Sequence, residues 1–487
     1  MKKIMNNIVL ILFLVSWFPS ISQTAPGAII FSEDFNGGLP STWSVVNNNP
    51  NNLQWIWETN YRQGQFSNCF DKIASSTSDN GFMLLPMDFY NTPSPSIGAV
   101  SMDTYIESPS IIIPNNAQSI LFRFQHYVRY CCSNTGKLEV HYSFDNFLTS
   151  QSHDVVQHLP INSLGENVAE VGVTVARLSG QGNSVRFRIL AEGMSNYFWM
   201  IDDVVVVMPY SSAVSVEHSE IINENMVSSP SLQSAVPLLL MDAINSIVKV
   251  QNRGLNAQTG LSVQSTLYLD SNLTGQVLNS VISTDFGTIP FLGIDSMLER
   301  IVTNQNSPSV HGHYRLKNEV VTNGLNQLSN RKYKEVQFQI TDSVLSKNTN
   351  IATCANELST DGGISKFGTV YAMKSRGGQL SSMSAYVGAS TFNVGAYVRA
   401  EIWSYDASET LPNLKVGILL DSSEVDTLHS ADLSKWHTFM LSGRINLSPD
   451  SNYLVVINQV GRSAQSASFH APVYMNSNHI RNSFVDS

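Results

Sequence analysis

Short runs rich in Val, Ile, Tyr and Phe recur along nearly the whole chain, each bounded by a cluster of Gly, Asn, Ser or Pro. They include 29–31, 119–127 (SILFRFQHY), 137–142 (KLEVHY), 184–189 (SVRFRI) and 200–207 (MIDDVVVV). Later come 247–251, 261–269, 335–340, 397–403, 437–441 and 453–457. Such runs, four to eight residues long and separated by turn residues, are the pattern of β-strands. Helical periodicity over a dozen residues is missing; the nearest case, 236–244, is short and carries Pro237. The expected class is all-β, with antiparallel β-sandwiches in tandem rather than βαβ units.

A chain of 487 residues is several times the size of one domain. Polar stretches open at Pro209-Tyr210-Ser211-Ser212 and run over 342–365, between strand-rich blocks. They divide the chain into three sandwich-sized units at 24–209, 213–345 and 350–487. Charged residues are 14% and the formal net charge is −10, with no cluster of Lys or Arg. Nucleic acid is therefore not an expected partner.

The N-terminus predicts the compartment. Met1, Lys2 and Lys3 precede an apolar run over 8–18, and Ser20-Ile21-Ser22 supplies small residues at alternate positions. That order is a cleaved secretory signal peptide, residues 1–22, the other reading being a buried N-terminal helix. Its core is too short to span a bilayer, and no later stretch reaches ~18 apolar residues, so no transmembrane segment is expected in the mature chain. No cysteine follows the run to carry a lipid. The protein is expected to be secreted or on the cell surface, facing an extracellular protein or glycan.

The first block carries the most specific residues. It opens with Glu33-Asp34-Phe35-Asn36-Gly37-Gly38-Leu39-Pro40 and Trp43, has Glu107-Ser108-Pro109-Ser110-Ile111 in the middle, and closes with Trp199-Met200-Ile201-Asp202-Asp203-Val204. Asp202 and Asp203 sit in a strand that is otherwise apolar, where a bare carboxylate needs a cation or hydrogen-bond donors. Successive strand residues face opposite ways, so one of the pair is expected inward and the other outward. Glu33 and Asp34 are the natural oxygen donors to share an ion with them, and such a set suits Ca²⁺. The competing reading has Asp202 or Asp203 hydrogen-bonded to a loop backbone and Glu33 in solvent.

Those three motifs, in that order, resemble the cleaved-adhesin (MAM-like jelly-roll) family over roughly residues 29–208. Bacteroidetes export such modules in surface proteins, including gingipain-type haemagglutinins. The resemblance implies a jelly roll with structural calcium between its first and last strands, at Glu33, Asp34, Asp202 and Asp203. The second block resembles the Ig-like spacers beside such modules, and the third an accessory jelly-roll sandwich. Related proteins commonly end in a further sandwich that acts as a type IX secretion signal. The sequence ends at Phe484-Val485-Asp486-Ser487 without one, which leaves either a fragment or another export route.

Four cysteines are too few for a disulfide scaffold. In an exported chain Cys69 with Cys131 or Cys132 is the first candidate disulfide, and a vicinal 131–132 bridge the second. His311 and His313 lack a third metal ligand nearby and read as ordinary strand and turn histidines. In the third block Trp403, Tyr405 and Trp436 are candidates to stack on sugar rings, although sandwich aromatics are more often core.

Catalytic signatures are sparse. His153 and His158 lack the zinc-peptidase spacing, and no nucleophile elbow is present. Carboxylate pairs for glycoside hydrolysis are set by space rather than sequence, so Glu107 and Glu139 are the strand residues to check. Three functions follow: a non-enzymatic exported adhesion protein with a calcium-stabilised jelly roll, a carbohydrate-binding protein, or part of a secreted hydrolase. The first is the expectation.

Overall fold

A computed structural model places the chain almost wholly in β-sheet, the all-β class expected. It describes residues 26–486 apart from 50–52, 65–66, 68–69, 92–99, 131–135, 158, 160–162, 224–234, 242, 271–274, 284–286, 290–296, 306, 322–332, 347–354, 361–364, 374–375, 388–392, 406–415, 463–468 and 475–482. The signal peptide over 1–22 and Cys69, Cys131, Cys132 and Cys354 lie outside the described residues.

The first region runs β1 (Ile29–Glu33), β2 (Ser44–Asn47), β3 (Ile56–Glu58), β4 (Phe82–Leu85), a short helix α1 (Met87–Asn91), β5 (Met102–Glu107) and β6 (Ile111–Ile112). It continues with β7 (Ser119–Tyr130), β8 (Lys137–Ser143), β9 (Gln151–Asp154), β10 (Ser163–Leu164), β11 (Ala169–Ala176), β12 (Ser184–Met194) and β13 (Trp199–Val207). One sheet has the order β10-β7-β13-β4-β3, with β1 added to β13 and β11 to β7. The other is β2-β5-β12-β8-β9, with β6 on β12.

Period-two patterning builds the core between them. On β12, Val185, Phe187, Ile189 and Ala191 are buried while Arg186, Arg188 and Leu190 face the other way. They meet Phe122, Phe124, Ile201, Val204 and Val206 from the facing sheet. The central strand β13 is covered on both sides, since Met200 packs with Phe70, Ile73, Phe82, Leu84, Tyr127 and Phe198. Burial on both faces is why β13 reads as a nearly continuous apolar run. β1 lies antiparallel beside β13, with Glu33 opposite Val204, so the opening and closing motifs are neighbours.

The second region comprises β14 (Val214–Asn223), β15 (Ala235–Pro237), β16 (Ile244–Asn252), β17 (Ser262–Leu269), β18 (Gln276–Ile282), β19 (Met297–Gln305), β20 (Gly312–Val321) and β21 (Tyr333–Thr341). Sheets β14-β16-β19 and β15-β21-β20-β17-β18 enclose Val214, Val248, Val250, Val263 and Val320. Where the sequence offered its nearest approach to a helix, the structure has β15 and a single 3-10 turn, Leu238–Leu240. Pro237 opens that turn with φ −60°, and Met241 after it is already extended again.

The third region holds β22 (Ala355–Thr360), β23 (Ser365–Met373), β24 (Gly378–Val387), β25 (Ala396–Tyr405), β26 (Val416–Ser422) and β27 (Asp426–Thr427). After these come β28 (Lys435–Leu447), β29 (Ser451–Arg462), β30 (Phe469–Tyr474) and β31 (Ser483–Asp486). A sheet ordered β26-β25-β29-β23-β31 packs on the ribbon β24-β28 through Val398, Ala400, Met383, Val387, Phe439 and Leu441. Among the described residues no helix is long and apolar enough to cross a membrane.

Polar contacts, one of them buried, join the first two regions. Arg253 is almost fully buried; its Nη1 donates to the Gly172 carbonyl on β11 (2.5 Å) and its Nη2 to Glu217 Oε1 (2.8 Å). Lys334 pairs with Glu166 across the same junction.

Candidate functional site

Three of the acidic candidates, Asp34, Asp202 and Asp203, are bonded to one loop, 75–80. The expected alternation of Asp202 and Asp203 does not hold. Asp203 has φ +49°, and the β13–β7 register shifts between Asp202 and Val205. This bulge, at a residue type that tolerates the left-handed region, cancels the alternation. Ile201 and Val204, three apart, therefore share the inter-sheet core, and both carboxylates turn to the same loop.

Ser75 Oγ donates to Asp202 Oδ2 (2.5 Å) and Ser76 Oγ to Asp203 Oδ2 (3.1 Å). Thr77 Oγ1 lies between the pair, 3.0 Å from Asp202 Oδ2 and 2.7 Å from Asp203 Oδ1. A hydroxyl has one proton, so Thr77 serves one carboxylate at a time. Asp202 Oδ1 accepts from the backbone N–H of Asp203 at 2.8 Å. The donors are thus loop hydroxyls and the bulge's own N–H, rather than the loop backbone.

The loop's far end reaches the other acidic pair. Asn80 Nδ2 donates to Asp34 Oδ2 (3.2 Å), while Glu33 Oε1 accepts from Phe35 N (2.8 Å) within its own turn. Asp202 and Asp203 are therefore brought together, Asp34 is joined to the same loop through Asn80, and Glu33 is held locally. Among the described residues no three His, Cys, Asp or Glu side chains are gathered as a metal-holding group.

Burial dominates the electrostatics. It pushes the carboxyl of the fully buried Asp202 up to about 6, against hydrogen bonds from Ser75 and Asp203 N and with the neighbouring Asp203 charge adding to the rise. Glu33 is also raised, chiefly by burial. The side-chain carbonyl Asn80 Oδ1 is buried without a hydrogen-bond partner, an acceptor that a water or a cation would satisfy. The oxygens here are carboxylate, amide and hydroxyl, all hard donors that fit Ca²⁺.

The aromatic candidates of the third region separate. Trp403 and Tyr405 lie two apart on β25 and so share a face. Trp403 Nε1 donates to Glu401 Oε2 (2.9 Å), and the fully buried Glu401 also accepts from Arg399 Nε (2.7 Å) and Asn458 Nδ2 (2.6 Å). Trp436 is on β28, in the other layer, 44% exposed. Its ring meets Tyr386 edge-on, with centroids 5.7 Å apart at 84°. Sequence reasoning missed Tyr386, because nothing local marks its cross-strand partner.

The strand carboxylates are tied as well. Glu107 receives Arg186 Nη1 (2.9 Å) and Arg188 Nε (2.8 Å), and Glu139 lies 2.7 Å from His141 Nε2. His311 Nε2 is 3.0 Å from Asp342, and His313 stands on β20 opposite Gln339.

No family model matches the sequence, and no curated protein matches it. Among solved structures it is similar to the K1 cleaved adhesin domain of Lys-gingipain from Porphyromonas gingivalis, at 18% identity and TM-score 0.23, over 36% of this chain and 96% of that one. The K3 domain of the same protein gives 18% and 0.26, over 37% and 99%. TmCBM61 in complex with β-1,4-galactotriose gives 13% and 0.23, over 36% and 94%. Likenesses this low assign no function; the β-sandwich architecture rests on the strand pairing itself.

Proposed function

We propose that the chain is an exported, non-enzymatic binding protein of the adhesion type, whose first region is built like the cleaved-adhesin modules its motifs resemble and is stabilised by calcium. Its partner is an extracellular protein or glycan, and the signal-peptide pattern of residues 1–22 supports export. The observation that carries the reading is the state of the strand carboxylates. Glu107, Glu139 and Glu401 already accept from Arg186 and Arg188, from His141, and from Arg399, Trp403 and Asn458 respectively. A general acid or base needs an oxygen within reach of substrate; these oxygens are committed to partners on their own or the adjacent strand.

Ca²⁺ is the ion the 75–80 loop would hold with Asp202, Asp203, Asp34 and Asn80. It supplies positive charge where burial disfavours a carboxylate. Its role is structural: it ties the last strand to the loop that reaches the first. The test pairs calorimetry in calcium and in EDTA with hydrolysis assays on polysaccharide and peptide libraries. The expected result is a calcium-dependent rise in melting temperature and no turnover. Turnover abolished by a single carboxylate substitution refutes the non-enzymatic reading, and identical melts in calcium and EDTA refute the ion.

Carbohydrate binding is the second reading, favoured by the exposure of Trp436 beside Tyr386.

A further inference from the structure

The ribbon β24–β28 has two unlike faces. Met383, Val387, Phe439 and Leu441 point into the core. The opposite face presents three cross-strand pairs in register: Tyr386 with Trp436, Ser384 with Thr438, and Ser382 with Met440. Beyond the irregularity between Leu380 and Ser382, Gln379 Nε2 donates to Asn446 Oδ1 (3.1 Å) as the next outward pair. None of these side chains is charged. Along β24, Tyr386 to Ser382 covers ~14 Å at about 3.4 Å per residue.

Local contacts set the aromatic end. Tyr386 OH donates to the Ser434 carbonyl (2.8 Å), which fixes its ring edge-on to Trp436. The indole stays 44% exposed and Met440 64% exposed. Ser384 Oγ and Thr438 Oγ1 are 2.9 Å apart, so one of the two donates and the remaining hydroxyl capacity faces outward.

We infer that this strip is a saccharide-binding site, taking a neutral oligosaccharide with a pyranose C–H face on Trp436 and its hydroxyls on Ser384, Thr438 and the Gln379–Asn446 pair. A sugar ring has an apolar face and a rim of hydroxyls that donate and accept. The strip offers the same two chemistries side by side, and although the exposed Lys435 and Arg444 lie on the same strand, the side chains named here carry no charge that would select an anionic ligand. The inference rests on the binding-protein reading and deepens it.

The test is a tryptophan-fluorescence titration of the full chain with neutral oligosaccharides found on a glycan array. W436A and T438K are compared with wild type, and L148A serves as control because Leu148 is an exposed apolar residue in the first region. T438K alters an exposed hydroxyl, so its fold is not at issue, and the melting temperature of W436A checks the other. The expected result is a Kd weakened at least about tenfold in W436A and T438K and unchanged in L148A. Equal affinity in W436A, a preference for anionic glycans, or capture of a protein receptor with no saccharide binding overturns the site while leaving the binding-protein reading in place. Carboxylate-dependent hydrolysis overturns that reading itself.

Discussion

Replacing Asp202 with asparagine tests the energetics of the 75–80 loop most directly. Without an ion, burial lifts the Asp202 carboxyl from its ordinary 3.8 to about 6. A folded-state pKa above the unfolded one means that the native state binds the proton more tightly. Its contribution is full below pH ~4 and is lost as pH rises through ~6. Roughly two pH units at about 1.36 kcal/mol each give about 3 kcal/mol. For a unit the size of the first region this is ~6–12 °C in melting temperature.

The amide that D202N introduces is neutral at every pH. Its oxygen still accepts from Asp203 N, and its NH₂ group donates to the Ser75 or Thr77 hydroxyl. In EDTA, calorimetry from pH 4 to 7 is expected to show the wild-type transition falling more steeply than that of D202N. D202N then melts higher at pH 7. If the loop holds Ca²⁺ as proposed, calcium is expected to invert the order, stabilising wild type through an ionised Asp202 more than it stabilises the variant. Equal pH slopes for the two proteins in EDTA would refute the claim that Asp202 carries the cost of burial.

Two further predictions concern packing. At Gly172 an added Cβ would overlap Arg253 Nη1, so G172A is expected to cost about 1–3 kcal/mol by displacing a buried donor from its acceptor. Calorimetry should then resolve separate transitions for the first two regions, and an unchanged thermogram would show that Arg253 does not couple them. Phe122 stacks on Phe187 with centroids 4.0 Å apart at 12°, so F122A is expected to cost about 3–5 kcal/mol in a denaturant titration.

Much of the first region was legible because its signals are local. Alternation on β12, the apolar run of β13 and the turn residues between them all follow from a two-residue period. The acidic motifs were also rightly sought as neighbours, since β1 pairs with β13. The split orientation expected of Asp202 and Asp203 failed because a bulge is a property of the paired strands. Ser75-Ser76-Thr77 reads as an ordinary polar turn in sequence, and nothing local marks it as the partner of residues 125 to 127 positions away. Trp436 was visible as an aromatic on a strand; its exposure, and the neutral strip it shares with Tyr386, were not.

The sequence by itself settled the class of structure. β-Branched and aromatic runs cut by turn residues leave a chain of this kind no stable alternative to sheet, and side-chain alternation assigns most residues to a face. Which strands lie together, where the register slips and which loop closes over the buried carboxylate were decided only in three dimensions. Those outcomes depend on pairing segments far apart in the chain, and a hydrogen-bond ladder carries no record of its partner in either strand alone.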